Sequence, residues 1–143
     1  MLFCEDNSLL TIPYNNTRPV ARVRIVAVDI NGNQMKTPIL EIMVDTGASH
    51  VTLPDHFVKE HLNTYLPGVA MASQAVETGK EIDVAWFNEA TIQFLSENDD
   101  VIHAEIIEEP FIVLSHSKYI LGRNIINKHI YEFKRGQELK INF

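Results

Sequence analysis

The sequence predicts an all-β domain, a barrel or a sandwich with one or two short helices. Apolar residues alternate or run continuously over short segments of strand length, as in Val20–Val28. Turn signals built from Gly, Pro and Asn separate these segments, and Asn31-Gly32 is the clearest of them. The 143 residues contain no low-complexity stretch, linker or solenoid repeat. We therefore expect one domain, residues 1–143.

The N-terminal half is predicted to contain a strand hairpin, a further strand and a helix. Val20–Val28 is the first long strand, and Thr37–Val44 is its return strand. Asn31-Gly32 between them predicts a type I′ turn, in which both central residues need positive φ. β character resumes at Val51–Leu53. Pro54–Leu62 is predicted to be a short helix, because Pro is favoured in the first helical turn.

The C-terminal half is predicted to be β-rich with one short helix. Apolar and β-branched residues predict strands in Glu81–Leu95 with a break at Asn88-Glu89, in Val101–Ile107, in Phe111–Leu114 and in Tyr119–Leu121. A short helix is predicted at Ile125–His129. The final segment, Ile130–Phe143, is predicted to form a hairpin around Gly136.

Composition excludes several classes of function and location. The net charge of −7, from 12 basic and 19 acidic residues, is opposite to that of a typical nucleic-acid binder. Cys4 is the single cysteine, so an intrachain disulfide cannot form, as is usual in a reducing compartment. The N-terminus does not resemble a secretory signal, and no apolar run is long enough to span a membrane. These features predict a cytoplasmic chain without a membrane partner, alone or as part of a longer protein.

The segment Asp45-Thr46-Gly47 is the candidate chemical site. The carboxylate of Asp45 directly follows an apolar strand, and a tight turn follows it. Gly47 permits close approach of a backbone or a ligand, and the Thr46 hydroxyl can lock the turn by a hydrogen bond. This is a rigid mount for an acid, although a bare Asp-Thr-Gly is also compatible with an ordinary strand-ending turn.

Further segments distinguish the two interpretations. Asp45-Thr46-Gly47-Ala48 is followed at a distance by Gly122-Arg123-Asn124 after an apolar strand. Thr17–Ile25 contains Arg-Pro before a long strand, Gly79–Phe94 contains a hairpin arm and the next strand, and Leu139–Phe143 is a closing strand. In this order and spacing, the segments resemble the retroviral aspartic proteases and their cellular relatives, the retropepsins.

The resemblance implies a retropepsin-like acid-protease barrel with one short C-terminal helix and aspartic endopeptidase activity on polypeptides. It implies no cofactor and no metal. It assigns catalysis to Asp45, Thr46 and Gly47, substrate binding to Ala48, Ser49 and Gly79, and structural support of the site to Gly122, Arg123 and Asn124.

The chemistry of such a site needs two carboxylates that share a proton. A second Asp-Thr-Gly or Asp-Ser-Gly does not occur among the other aspartates, which are Asp6, Asp29, Asp55, Asp83, Asp99 and Asp100. One chain therefore holds half of a two-fold active site. We expect a homodimer in which Asp45 of a second copy completes the pair, with Leu9–Ile12 and Leu139–Phe143 contributing to the interface.

Two features concern the surroundings of the site. Ala70–Lys80 is small and polar, which suits the mobile tip of a flap hairpin but also an ordinary surface hairpin. Viral relatives carry an Asp near the position of Ser49, where it pairs with the arginines that correspond to Arg123 and Arg18. Without this acid, Arg123 is expected to find backbone carbonyls of the catalytic loop, or a carboxylate such as Asp55 or Glu132. Arg18 is expected to be more exposed.

Two alternatives remain at the level of sequence. The spacing of His50, His56 and His61 matches no standard zinc pattern, so solvated histidines are the expectation. The second alternative is functional: a retropepsin-like module with weak or no proteolysis, which serves dimerisation or peptide binding. The intact Asp45-Thr46-Gly47 argues against it.

Overall fold

A computed structural model describes residues 9–15, 18–62, 66–72, 81–134 and 138–143. Within these ranges the chain forms thirteen strands and two short helices. In chain order the elements are β1 (Leu9–Asn15), β2 (Arg18–Val28), β3 (Gln34–Lys36), β4 (Leu40–Val44), β5 (Thr52–Pro54), α1 (Asp55–His61), β6 (Leu66–Ala72), β7 (Glu81–Trp86), β8 (Glu89–Leu95), β9 (Val101–Ile106), β10 (Phe111–Ser115), β11 (Ile120–Leu121), α2 (Arg123–Ile126), β12 (Ile130–Lys134) and β13 (Glu138–Asn142).

The predicted all-β class is confirmed, and the sheet is open where a barrel was expected. In the described residues the strands join along the path β12-β13-β1-β2-β4-β11-β5-β10-β7-β6. Off this path, β3 and β8 pair with β2, and β9 pairs with β8. Most neighbours are antiparallel, but β11 runs parallel to β4, and β10 runs parallel to β5. These parallel pairs lie at the centre of the path and bring distant chain segments together.

The core is built on the long strand β2. Its side chains alternate strictly, with Ala21, Val23, Ile25 and Ala27 buried and the residues between them partly exposed. β4 packs the same way, with Ile42 inaccessible to solvent. Because β2 pairs with both β4 and β8, its buried face lies at the centre of one continuous apolar cluster.

The turn after β2 differs from the predicted type I′ turn. Gly32 has φ +84°, whereas Asn31 is not among the described residues with positive φ. The Gly32 N–H donates to the Asp29 carbonyl at 3.0 Å, and the Asp29 N–H donates to the Asn33 carbonyl at 2.9 Å. The buried Asp29 carboxylate also accepts the N–H groups of Asn31 and Asn33. This is a type I turn followed by a left-handed glycine, the three-residue hairpin loop.

The predicted return strand Thr37–Val44 is shorter in the structure, where β4 covers Leu40–Val44 and β3 (Gln34–Lys36) precedes the predicted range. The break between the two strands contains Pro38, which has no N–H to continue the ladder. Two helices are present where the resemblance implied one. α1 confirms the prediction for Pro54–Leu62 and begins directly after Pro54. α2 occupies Arg123–Ile126, so the predicted helix at Ile125–His129 is two residues too late.

The two ends of the described chain pair with each other. β1 is antiparallel to β13 from Leu9 opposite Asn142 to Pro13 opposite Glu138, and β13 is antiparallel to β12. The two strands of the predicted C-terminal hairpin are thus present, while Gly136, expected at its turn, lies outside the described residues. No helix in the described ranges is long and apolar enough to cross a membrane.

Candidate active site

Asp45 lies where two parallel strands end side by side. β4 carries the apolar run up to Val44, which is paired with Leu121 of β11. The N–H of Asp45 donates to the Leu121 carbonyl at 3.0 Å, and the N–H of Met43 donates to the Tyr119 carbonyl at 3.0 Å. The backbone of Asp45 is therefore fixed by the sheet, while its side chain is partly exposed.

The Thr46-Gly47 turn holds the Asp45 carboxyl by a local hydrogen bond. The N–H of Gly47 donates to Asp45 Oδ1 at 2.8 Å, and the N–H of Ala48 donates to the Asp45 carbonyl at 3.2 Å. Within the described part of the chain, Gly47 is the hydrogen-bond donor to this carboxyl, and it uses Oδ1. A carboxylate held by one amide is oriented, and its other oxygen, Oδ2, remains for a further group.

Gly122 fastens the turn to the start of α2. The N–H groups of Arg123 and Asn124 donate to the carbonyls of Ala48 and Ser49 at 2.8 and 3.0 Å. This contact is so close that a Cβ on Gly122 would lie 2.5 Å from the backbone nitrogen of His50. A glycine is needed here because two backbones meet without space for a side chain. The predicted support segment and the predicted catalytic loop are thus in direct contact.

Arg123 takes one of the two kinds of partner expected for it. Its Nη1 donates to the carbonyl of Thr46 at 2.9 Å, at the tip of the turn. The carboxylate alternatives are wrong in the described structure: Asp55 pairs with Lys59 at 3.1 Å, and Glu132 is exposed. The guanidinium therefore braces the loop through its backbone, which removes the need for an acid at position 49.

Ser49 and His50 fill the space behind the turn. Ser49 Oγ and His50 Nδ1 are 2.8 Å apart and share a hydrogen bond. The His50 ring packs against the Phe111 ring at a centroid distance of 4.7 Å, and its Nε2 is 3.9 Å from Glu109 Oε1. Burial lowers the pKa of His50, and the Arg123 charge adds to this effect while Glu109 opposes it. The expectation of a solvated histidine is wrong for His50.

Some predicted residues are only partly described. Asn124 donates its backbone N–H to the loop, and its side-chain Oδ1 is buried without a hydrogen-bond partner in the described ranges. The arms of the predicted flap pair as β6 and β7, with Ala72 opposite Glu81. The tip of that hairpin, Gly79 included, and the side chain of Arg18 lie outside what the structure describes.

An open cleft of about 570 Å³ borders Asp45. Apolar and charged residues from three segments line it, namely Val20, Glu41, Met43, Lys118, Tyr119 and Ile120. Neither Glu41 nor Lys118 was expected from sequence to lie near Asp45. The alternation on β4 contained the signal for Glu41 and Met43, which share the parity of Asp45 along the strand.

Among the described residues, no aspartate other than Asp45 lines this cleft. Asp29 closes the turn after β2, Asp55 begins α1, and Asp99 pairs with Arg22. Glu41 is a carboxylate in the cleft, but it precedes Asp45 by four residues on an extended strand. That spacing corresponds to about 13 Å, too far for two carboxyls to share a proton.

The fold is similar to that of a solved protein structure. The structure of a retropepsin-like aspartic protease from Rickettsia conorii aligns with this chain at a TM-score of 0.54 and 13% sequence identity. The alignment covers 94% of this chain and 90% of that one. No family model and no curated protein sequence matches. The likeness shows that this chain has a fold similar to that of a retropepsin-like protease.

Proposed function

We propose that the chain is one half of an aspartic endopeptidase and that two copies form the enzyme. The observation that carries this proposal is the way in which the structure holds Asp45. Its backbone is fixed at the end of β4, Gly47 orients its carboxyl, and Arg123 braces the turn. The similarity to a retropepsin-like fold agrees with the proposal.

The number of carboxylates at the site supports the proposed homodimer. The reaction requires two carboxyls in contact, which titrate as a pair because both cannot be ionised at that distance. Glu41 is too far along the strand to serve, and Asp29, Asp55 and Asp99 have structural roles elsewhere. In the proposed dimer the second carboxyl is Asp45 of the other copy, related by a two-fold axis.

The mechanism would proceed by activation of water between the two Asp45 carboxyls. The ionised carboxyl takes a proton from the water while the water oxygen attacks the scissile carbonyl carbon. The protonated carboxyl donates its proton to the carbonyl oxygen. As the C–N bond of the resulting gem-diol breaks, the carboxyl that took the water proton donates it to the leaving amine nitrogen. The other carboxylate takes a proton from one gem-diol hydroxyl, which leaves a carboxylic acid product and restores the starting protonation of the pair. The Gly47 amide holds Oδ1 throughout, so the pair needs little reorganisation.

Substrate would lie in the cleft beside Asp45 as an extended polypeptide. Met43, Tyr119 and Ile120 offer apolar contacts. Ala48 and Ser49 directly follow the turn in sequence, and the resemblance implies that they too would contact the peptide. The hairpin of β6 and β7 would cover the peptide and exclude water, in the manner of a flap. Gly79, which the resemblance assigns to substrate binding, lies outside the described residues.

The test compares the wild type with Asp45→Asn on an unfolded protein substrate at several pH values between mildly acidic and neutral. Asn keeps the shape of the side chain and its acceptance of the Gly47 N–H, but it cannot transfer the proton. We expect cleavage to fall by at least about 1,000-fold, while Asp100→Asn, a change at an exposed aspartate beside a turn, leaves it unaltered.

Two outcomes would contradict the proposal. Equal cleavage by Asp45→Asn and the wild type would place the activity elsewhere or in a contaminant. A wild type that is inactive on every substrate, yet binds peptide as tightly as Asp45→Asn does, would favour the alternative of a non-proteolytic peptide-binding module.

A further inference from the structure

We propose that His103, Glu105 and His129 form a zinc site that joins β9 to the segment after α2. The site shares no residue with the Asp45 loop or with its cleft, and it does not rest on the proposed protease function. Its ligand atoms, two imidazole nitrogens and one carboxylate oxygen, lie within 4.8 Å of one another. This donor set is typical of Zn²⁺ with a fourth position left to solvent.

Strand geometry explains why two of the ligands converge. His103 and Glu105 are two residues apart on β9, so their side chains point to the same face of the sheet. His103 Nε2 lies 3.0 Å from Glu105 Oε1. Adjacent ligands of a tetrahedral zinc ion are about 3.3 Å apart, given metal–ligand distances near 2.0 Å. This pair therefore has the spacing of two metal ligands.

His129 supplies the third ligand from a distant part of the chain. It lies between α2 and β12, where its N–H donates to the Ile126 carbonyl at 3.1 Å. Its Nε2 is 2.5 Å from the same Glu105 Oε1 that faces His103. For an ion to lie between the three atoms, His129 Nε2 must move away from Glu105 Oε1 by less than about 1 Å, which a change of side-chain torsion can supply.

Surrounding groups fix the three side chains. The Phe143 ring stacks on His103 at 4.1 Å with an interplanar angle of 11°, and it meets His129 edge-on at 4.9 Å. Lys128 Nζ lies 3.6 Å from Glu105 Oε2, so the ammonium holds the other oxygen and leaves Oε1 as the ligand atom. Such outer contacts orient metal ligands and lower the cost of assembling the site.

Burial at the cluster is suited to an ion that solvent can still reach. The side chains of His103, Glu105 and His129 are 19, 12 and 12% exposed. Zinc would link β9, which pairs with β8 alone in the described sheet, to the chain that leads into the C-terminal hairpin. The ion would connect segments that the hydrogen-bond ladders do not join, so we expect it to stabilise the fold while its fourth position stays open to solvent.

The test is titration of the metal-free full chain with Zn²⁺ alone, followed by calorimetry and by competition with a chromophoric chelator. We expect one Zn²⁺ per chain and a rise in Tm of roughly 5–10 °C at a hundredfold excess over Kd. Co²⁺ in place of Zn²⁺ should give the visible absorption of a four-coordinate ion. Repeating the titration with Cys4→Ser excludes the thiol as a ligand.

Variants separate a metal site from a hydrogen-bonded network. His129→Gln can still donate to Glu105 and so should fold, but we expect Zn²⁺ affinity to fall on the order of 100-fold. His129→Ala should lose affinity to the same extent. His116→Ala is the control, since this exposed histidine lies outside the cluster. Absence of stoichiometric Zn²⁺ binding by the wild type, wild-type affinity in His129→Gln, or equal loss in His116→Ala would each overturn the proposal.

Discussion

Gly122→Ala is the substitution whose effect follows most directly from the contact between the catalytic turn and α2. The new Cβ would lie 2.5–2.7 Å from backbone atoms of His50, and ordinary contact begins at 3.4 Å. The two backbones would have to separate by close to 1 Å. Overpacking of this kind costs about 1–3 kcal/mol. The same movement weakens the hydrogen bonds from Arg123 and Asn124 to the loop, at about 1 kcal/mol each.

The expected net loss for Gly122→Ala is about 3–4 kcal/mol in the free energy of unfolding. A small gain from the stiffer unfolded chain is included, since the backbone at Gly122 has φ −97°, which alanine adopts without strain. The free energy is measured by urea unfolding at a fixed protein concentration, and Tm should fall by roughly 8–12 °C for a chain of this size.

Gly32→Ala is the control that separates the effect of backbone strain on the free energy of unfolding from the effect of a steric clash. Gly32 has φ +84°, and a Cβ added there would meet no atom within 4 Å, so its substitution costs about 1 kcal/mol through backbone strain alone. A Gly122→Ala variant within about 0.5 kcal/mol of the wild type would refute the argument, because the contact with His50 would then be loose.

Three further predictions concern single side chains. Thr37→Val should lower the free energy of unfolding in urea by about 1–3 kcal/mol, because the buried N–H of Ile25 loses its acceptor, Thr37 Oγ1. Thr37→Ser keeps this acceptor, so a loss in Thr37→Val no greater than that in Thr37→Ser would argue against the prediction. Because the pKa of His50 is lowered in the folded chain, the unfolded chain binds a proton at higher pH than the folded chain does. The free energy of unfolding should therefore be at its full value above pH 6.5 and decline as the pH falls toward the lowered pKa. His50→Gln should flatten that decline in urea midpoints measured from pH 7 to 5, and an unchanged slope would assign it to other groups. Arg123→Ala should lower the free energy of unfolding by about 1–2 kcal/mol, because the Thr46 carbonyl loses its hydrogen-bond donor. It should also reduce the rate of proteolysis more than Arg123→Lys does, and both the rate and Tm are measured for each variant.

Periodicity predicted most of the elements, because alternation of apolar residues in β2 and β4 is a local property of the chain. Turn geometry was less accessible. Asn31-Gly32 favoured a type I′ turn, but the buried Asp29 carboxylate accepts two N–H groups and selects a different loop. The start of α2 was placed too late because its signal is the contact of Gly122 with His50, which no local pattern contains.

The candidate site was predictable where its residues are adjacent in sequence. Asp45 and Gly47 form a local unit, and a family resemblance joined them to Arg123. Groups assembled from several strands were missed, since their proximity depends on register. His103 and Glu105 carried a local signal in their spacing along a strand, but His129 joins them through the tertiary fold alone.

The central claim is that each chain holds half of the active site, and a mixing titration tests it most directly. Wild-type chain is held at a fixed concentration, well above that at which the dimer dissociates, and Asp45→Asn chain is added and allowed to exchange. Mixed dimers contain one competent carboxyl, so proteolysis should fall to about one half at an equal amount of the variant and to about one quarter at a threefold excess. Activity that stays constant as Asp45→Asn is added would contradict the account, because the catalytic pair would then lie within a single chain.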